Sequence, residues 1–94
     1  MSGHGISIII PVLNEARGIV HLLERLQDFR RAGAEIIGVD GGSVDHTQRL
    51  AGGLANRILS ADRGRGRQMN AGAAIARGDA FLFLHADTWL PAAA

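Results

Sequence analysis

The sequence predicts an α/β domain: a parallel sheet of about four strands with helices on both faces. Three observations carry that expectation. Short apolar runs recur along the chain at residues 6–12, 35–40, 57–60 and 81–84. Between them lie segments with helical spacing, on connections long enough for parallel crossovers. Each run also ends in polar or glycine-rich sequence, as strands do where a ligand crevice forms at the carboxyl edge of an open sheet.

The first run, Ile6-Ser7-Ile8-Ile9-Ile10-Pro11-Val12, is dense in β-branched residues, and Pro11 is acceptable only at its end because proline cannot donate to the ladder. Asn14 is a suitable N-cap for an amphipathic helix carrying Ile19, Leu22, Leu23 and Leu26 on one face and ending near Gly33. The second strand, residues 35–40, ends on Asp40. After Gly41-Gly42-Ser43, the pair Asp45 and Gln48 fits a capping box opening a second helix with Leu50, Ala51 and Leu54 buried, weakened at Gly52-Gly53. Residues 57–60 form the shortest strand, and Ala61 to Arg67 read as a loop. A third helix from Gln68 to Ala76 has a slim face of alanine and glycine suited to close approach on a sheet, and Gly78 suits its stop. The last run, Phe81-Leu82-Phe83-Leu84, leads into His85-Ala86-Asp87 and reads as a strand buried on both faces.

With 94 residues the chain is expected to be a single domain spanning 1–94. A hydrophobic content of 47% against 20% charged residues is globular composition, neither disordered nor fibrous. All the basic residues are arginine, and a formal net charge of +1 gives no general attraction to nucleic acid. The absence of cysteine excludes disulfides and thiolate metal sites. No targeting signal or spanning stretch is evident, so the expected location is cytoplasmic, free or peripheral at a membrane.

The polar residues gather where a parallel sheet binds ligands. Asn14 and Glu15 follow the first strand, Asp40 to Ser43 the second, Arg63 to Arg67 the third, and His85 with Asp87 the fourth. Carboxylates, arginines and glycine-rich backbone on one edge suit a nucleotide with a divalent cation: Asp40 toward ribose or base, arginines toward phosphates, Asp87 toward the metal. Plainer roles stand beside these. Glu15 also suits a helix N-terminus, Asp40 a turn, the arginines a solvated loop, and His85 a packing position under the site. A dinucleotide fold would need a glycine-rich turn after the first strand, where Pro11 to Glu15 stand instead, and Gly64-Arg65-Gly66 lacks the rest of that fingerprint.

Four segments in this order resemble the family 2 glycosyltransferases: Ile8 through Glu15, Val39 through Thr47, Gly64 through Gly72, and Gly78-Asp79 with Phe83 through Asp87. The last two are most similar to a bacterial subgroup described as radical-SAM/selenodomain-associated glycosyltransferases. The resemblance implies the Rossmann-like, nucleotide-binding half of a GT-A fold and an inverting, metal-dependent transfer from a nucleoside diphosphate sugar. It places Pro11, Asn14, Glu15, Asp40, Gly41, Gly42, Ser43, Arg65, Arg67 and Asn70 at the nucleotide, with Asp40 on the nucleoside and Arg65 near the diphosphate. Asp87 becomes the metal-ligating acid of an Asp-x-Asp motif whose first aspartate is replaced by His85, and the cation is Mg2+ or Mn2+.

The family's catalytic base and acceptor half lie downstream of that motif. The resemblance therefore implies that residues 1–94 stop before the acceptor half and do not turn over alone. The acceptor is not specified, and no catalytic base is assigned. Two other readings remain. One is a non-catalytic interaction module, or a strand-exchanged homo-oligomer pairing through an exposed sheet edge. The other is a nucleotidyltransferase of related fold, although such enzymes usually carry a basic glycine-rich loop after the first strand.

Overall fold

The computed structural model describes residues 5–86. β1 (Ile6–Val12) is built from β-branched residues that alternate between two cores. Ile8, Ile10 and Val12 enter one cluster and Ile9 the other, as the two-residue strand period requires. α1 (Ala16–Arg25) lays Ile19, Leu22 and Leu23 on the first of these faces. The single helix expected up to Gly33 is broken at Leu26. Its N–H is shared between the carbonyls of Leu22 at 3.2 Å and Leu23 at 3.0 Å, a tightened turn that keeps Leu26 buried before α2 (Gln27–Arg31) begins. Gly33, at φ 110°, then supplies the left-handed residue that releases the chain.

β2 (Glu35–Asp40) is buried from Ile36 onward. α3 (Thr47–Ala51) is shorter than expected, stopping before Gly52-Gly53, and β3 (Arg57–Ser60) follows. α4 (Arg65–Ile75) starts three residues earlier than the sequence suggested, so Arg65 and Arg67 belong to its first turn and not to a loop. β4 (Ala80–Phe83) is the last described element.

Among the described residues the sheet has four parallel strands in the order β3-β2-β1-β4. α1 and α3 pack together over one face, and α4 covers β1 and β2 on the other. α4 comes close because it presents Gly72. A Cβ there would stand 2.6 Å from Ile9 Cγ2 and 3.0 Å from Val39 Cγ2. At the opposite end of the sheet, Ser7 ties β4's approach to β2: its Oγ donates to Glu35 at 2.8 Å and accepts from the Gly78 N–H at 2.8 Å.

The expectation of a last strand buried on both faces is corrected. Among the described residues, Phe81, Leu82 and Phe83 are 45%, 45% and 44% exposed, with β4 outermost in the sheet beside β1. No helix among the described residues is long and apolar enough to cross a membrane.

Candidate functional site

Among the described residues, three of the four buried polar or charged ones lie at the carboxyl edge of the sheet: Asp40, Thr47 and Gln68, with Ser7 at the other end. Since burying an unpartnered polar group is costly, their partners define what the edge is built to hold. Every buried side-chain nitrogen and oxygen among the described residues has a hydrogen-bond partner.

Asp40 ends β2 and turns its carboxylate onto the loop that follows. Oδ2 accepts from the N–H groups of Gly42 at 3.0 Å and Ser43 at 2.9 Å, and Oδ1 accepts from the Ser43 hydroxyl. Gly42, at φ 102°, is where this loop needs glycine. The Ser43 hydroxyl in turn accepts from the Asn14 N–H at 2.9 Å, forming a relay from the β1 loop through Ser43 to Asp40.

The loops after β1 and β2 are joined by further bonds of this kind. Asn14 adopts φ 52°, a left-handed conformation that asparagine tolerates, and its Oδ1 accepts from the Val44 N–H at 2.8 Å. It does not cap α1, contrary to the sequence expectation. Glu15 occupies the cap position without a side-chain bond of its own. Two N–H groups at the start of α1 are satisfied from the other loop instead: Glu15 N–H donates to Thr47 Oγ1 at 2.8 Å and Ala16 N–H to Asp45 Oδ2 at 3.2 Å. The expected Asp45–Gln48 capping box is likewise absent. His46 caps α3 without a side-chain bond, Asp45 accepts from Thr47, and Gln48 donates to Ser60 at 3.0 Å. The Thr47 hydroxyl, helped by the Thr47 and Ala16 N–H groups, holds the Asp45 carboxyl below the usual carboxylate range.

Gln68 is the residue that sequence reasoning missed. Its Nε2 donates to the carbonyls of Val12 at 3.0 Å and Val39 at 2.8 Å, and its Oε1 accepts from the Gly64 N–H at 3.2 Å. The one available signal is its position a helical turn before Gly72, on the face that meets the sheet.

These bonds frame an open cleft of about 180 Å³ lined by Pro11, Val12, Leu13, Glu15, Arg65, Gln68, His85 and Ala86. The structure thus brings together Pro11, Glu15, Arg65 and His85 from among the residues predicted by sequence. Asp40, Gly41, Gly42, Ser43 and Asn14 form the adjoining loop network. Arg67 and Asn70 are exposed on α4 and are not part of this lining. Asp87 lies outside the described residues. Among those described, no three histidine, aspartate or glutamate side chains gather as a ready-made cation cage. His85 on the cleft wall offers one imidazole nitrogen, a softer donor than the oxygens that Mg2+ and Mn2+ favour, so a cation there would be held mainly by a ligand's phosphate oxygens.

Comparison with known proteins agrees with this geometry. The description "Glycosyl transferase family 2" matches residues 7–93. The chain is 33% identical to an uncharacterized glycosyltransferase of Nostoc sp. over 92% of its own length and 29% of that protein's. It is 36% identical to a PGL/p-HBAD biosynthesis glycosyltransferase of Mycobacterium bovis over 86% of its length and 34% of the relative's. It therefore spans about a third of the curated relatives it matches. Among solved structures, glucosyl-3-phosphoglycerate synthase of Mycobacterium tuberculosis, in complex with Mn2+, UDP and glucosyl-3-phosphoglycerate, superposes with a TM-score of 0.83 at 26% identity. That match covers 97% of this chain and 36% of the synthase. The cleft at the carboxyl end of β1, the parallel sheet of a GT-A glycosyltransferase and the match over residues 7–93 lead to one assignment: the chain belongs to glycosyl transferase family 2.

Proposed function

We propose that this chain carries the donor site of an inverting, metal-dependent glycosyltransferase and binds a nucleoside diphosphate sugar there, in the cytoplasm. The observation that carries the reading is the meeting of Arg65, Glu15 and His85, from three separate stretches of chain, in one cleft. A diphosphate in that cleft meets a guanidinium suited to forked contacts, and the amino end of α4 adds its dipole. Asp40 is assigned to the nucleoside: three hydrogen bonds to the Gly42–Ser43 loop occupy most of its carboxylate. Of about four acceptor positions on a carboxylate, this leaves capacity for a ribose hydroxyl or a base N–H. Arg67 and Asn70 stand away from the cleft, so the phosphate contact rests on Arg65.

Asp87 and His85 are assigned to a divalent cation, Mg2+ or Mn2+, shared with the diphosphate. Such a cation stabilises charge developing on a leaving diphosphate. The UDP and Mn2+ held by the M. tuberculosis synthase support this class of ligand. No described residue is assigned the catalytic base, and residues 1–94 are expected to bind without turning over.

Titration calorimetry with UDP and with GDP, each with and without Mn2+, tests this reading. Weak, Mn2+-dependent binding is expected. Arg65→Ala should weaken it about tenfold by removing a charge-assisted phosphate contact. Asp87→Ala should abolish the metal dependence. Arg31→Ala, at the ion pair with Asp28 on α2, should leave binding unchanged. No heat from a folded sample at millimolar ligand would sink the proposal.

A second reading rests on a different observation, the exposed β4 edge, whose apolar residues suit self-pairing between chains. Light scattering on the isolated chain discriminates it, since a clean monomer argues against that reading.

A further inference from the structure

We infer that Gln68 is the positioning residue of the nucleotide site, fixing the amino end of α4, and with it Arg65, relative to the carboxyl ends of β1 and β2. The inference rests on the donor-site reading above for what the positioning serves, but not for the positioning itself.

The Gln68 side chain is only 4% exposed. Its carboxamide makes three bonds to main chain on three different stretches. Nε2 spends both protons on the last turns of the sheet, the Val12 carbonyl closing β1 and the Val39 carbonyl near the end of β2. Oε1 accepts from Gly64, the cap residue immediately before Arg65. The Gln68 main chain completes a ring by donating its N–H to the Gly64 carbonyl at 2.8 Å. Gly64 is thus gripped at both its N–H and its C=O by one residue, as in a capping box, but with the side chain also anchored in the sheet.

The chemistry admits few substitutes. Two donors and one acceptor in a single plane, on a stem of this length, are supplied by glutamine. Glutamate at neutral pH would face two carbonyl oxygens without a proton, and methionine would fill the volume without bonding. The amide orientation is set by its partners, because the flipped form would turn oxygen toward both carbonyls.

The neighbouring sequence is fitted to this amide. Gly41 follows Asp40, and a Cβ on it would stand 2.8 Å from Gln68 Oε1 and 2.9 Å from its Cδ. Gly41 N–H donates to the Val12 carbonyl at 3.0 Å, the same oxygen that receives Gln68. The β1 end, the Asp40 loop and the start of α4 therefore meet at one carboxamide, and Arg65 and Gln68 line the same cleft.

Two measurements decide the inference. Amide exchange by NMR addresses placement. In the wild-type chain the Gln68 carboxamide protons and the Gly64 N–H should exchange at least about tenfold more slowly than solvent-exposed groups. Gln68→Met should remove the Gly64 protection while the buried Ile9 and Ile37 amides keep theirs. Carboxamide protons exchanging at the solvent rate in wild type, or unchanged Gly64 protection in the variant, would overturn the positioning role. The wild-type arm stands even where the variant fails to fold.

A double-mutant cycle addresses what is positioned. Gln68→Met should weaken UDP binding in the presence of Mn2+ about tenfold in the Arg65 protein and less than about twofold further in the Arg65→Ala protein, as coupled residues behave. Additive losses would show that Gln68 does not act through Arg65, which contradicts the inference. A wild-type chain that binds no UDP would defeat the donor-site reading, and the exchange data would then decide the placement on their own.

Discussion

Asp45 accepts hydrogen bonds from the Thr47 N–H and hydroxyl and from the Ala16 N–H, bridging the loop after β2 to the start of α1. The Thr47 hydroxyl chiefly, with those N–H groups, depresses its folded-state pKa. A carboxyl depressed on folding contributes stability above its unfolded value, and that contribution is lost as the pH falls through the folded value. Asp45→Asn should therefore lower the thermal midpoint at neutral pH and flatten its acid limb. Thermal melts across the acid range check this, and an unchanged acid limb would remove Asp45 from the clamp. The residue types at 14, 45 and 48 were legible as caps, yet none caps the helix that follows it. Bonds between the two loops join Asp45 to Ala16 across 29 residues and Asn14 to Val44 across 30, while Gln48 reaches Ser60 on β3. Spacing along the chain carries no information on that pairing.

Among the elements, α4 was legible in its face but not in its start. Alanines and Gly72 predicted close approach to a sheet, and the approach is found at Ile9 and Val39. Its first turn reads as a loop from sequence because Gly64-Arg65-Gly66 carries no side chain that caps a helix by itself. The Gln68 carboxamide instead holds the cap residue Gly64 from inside the helix, accepting from its N–H. Close packing sets the expectation for Gly72→Ala. The helix interior gains up to about 1 kcal/mol from alanine over glycine. Forcing a methyl to within 2.6 Å of Ile9 Cγ2 works against it, and overpacking of that kind costs about 1–3 kcal/mol. The net effect should be destabilising, read as a lower urea midpoint at unchanged slope. A more stable variant would show that α4 can lift off the sheet without loss.

For the whole molecule, the second reading, self-pairing through β4, turns on that strand and its surroundings. Ile6, Phe29, Phe81, Leu82 and Phe83 are all exposed, and an apolar groove of about 170 Å³ runs along Ile6, Ile8, Leu26, Phe29, Ala34, Leu82 and Leu84. An uncharged strand at an open edge promotes pairing between chains. On the self-pairing reading, Leu82→Lys should give a lower mass by light scattering than the wild-type chain without altering the fold. An unchanged mass would argue against pairing through β4. The sequence by itself determined the fold class, the order of elements and the family, because strand and helix periods and four ordered motifs are local properties. It also offered Pro11, Glu15, Arg65 and His85 as candidates, and these four line one cleft. Only the tertiary structure decided the bonding of the α1 start to the β2 loop and the central place of Gln68. Each of these depends on which segments become neighbours across the sheet edge, and hydrogen-bond partners tens of residues apart leave no periodic trace in the chain that makes them.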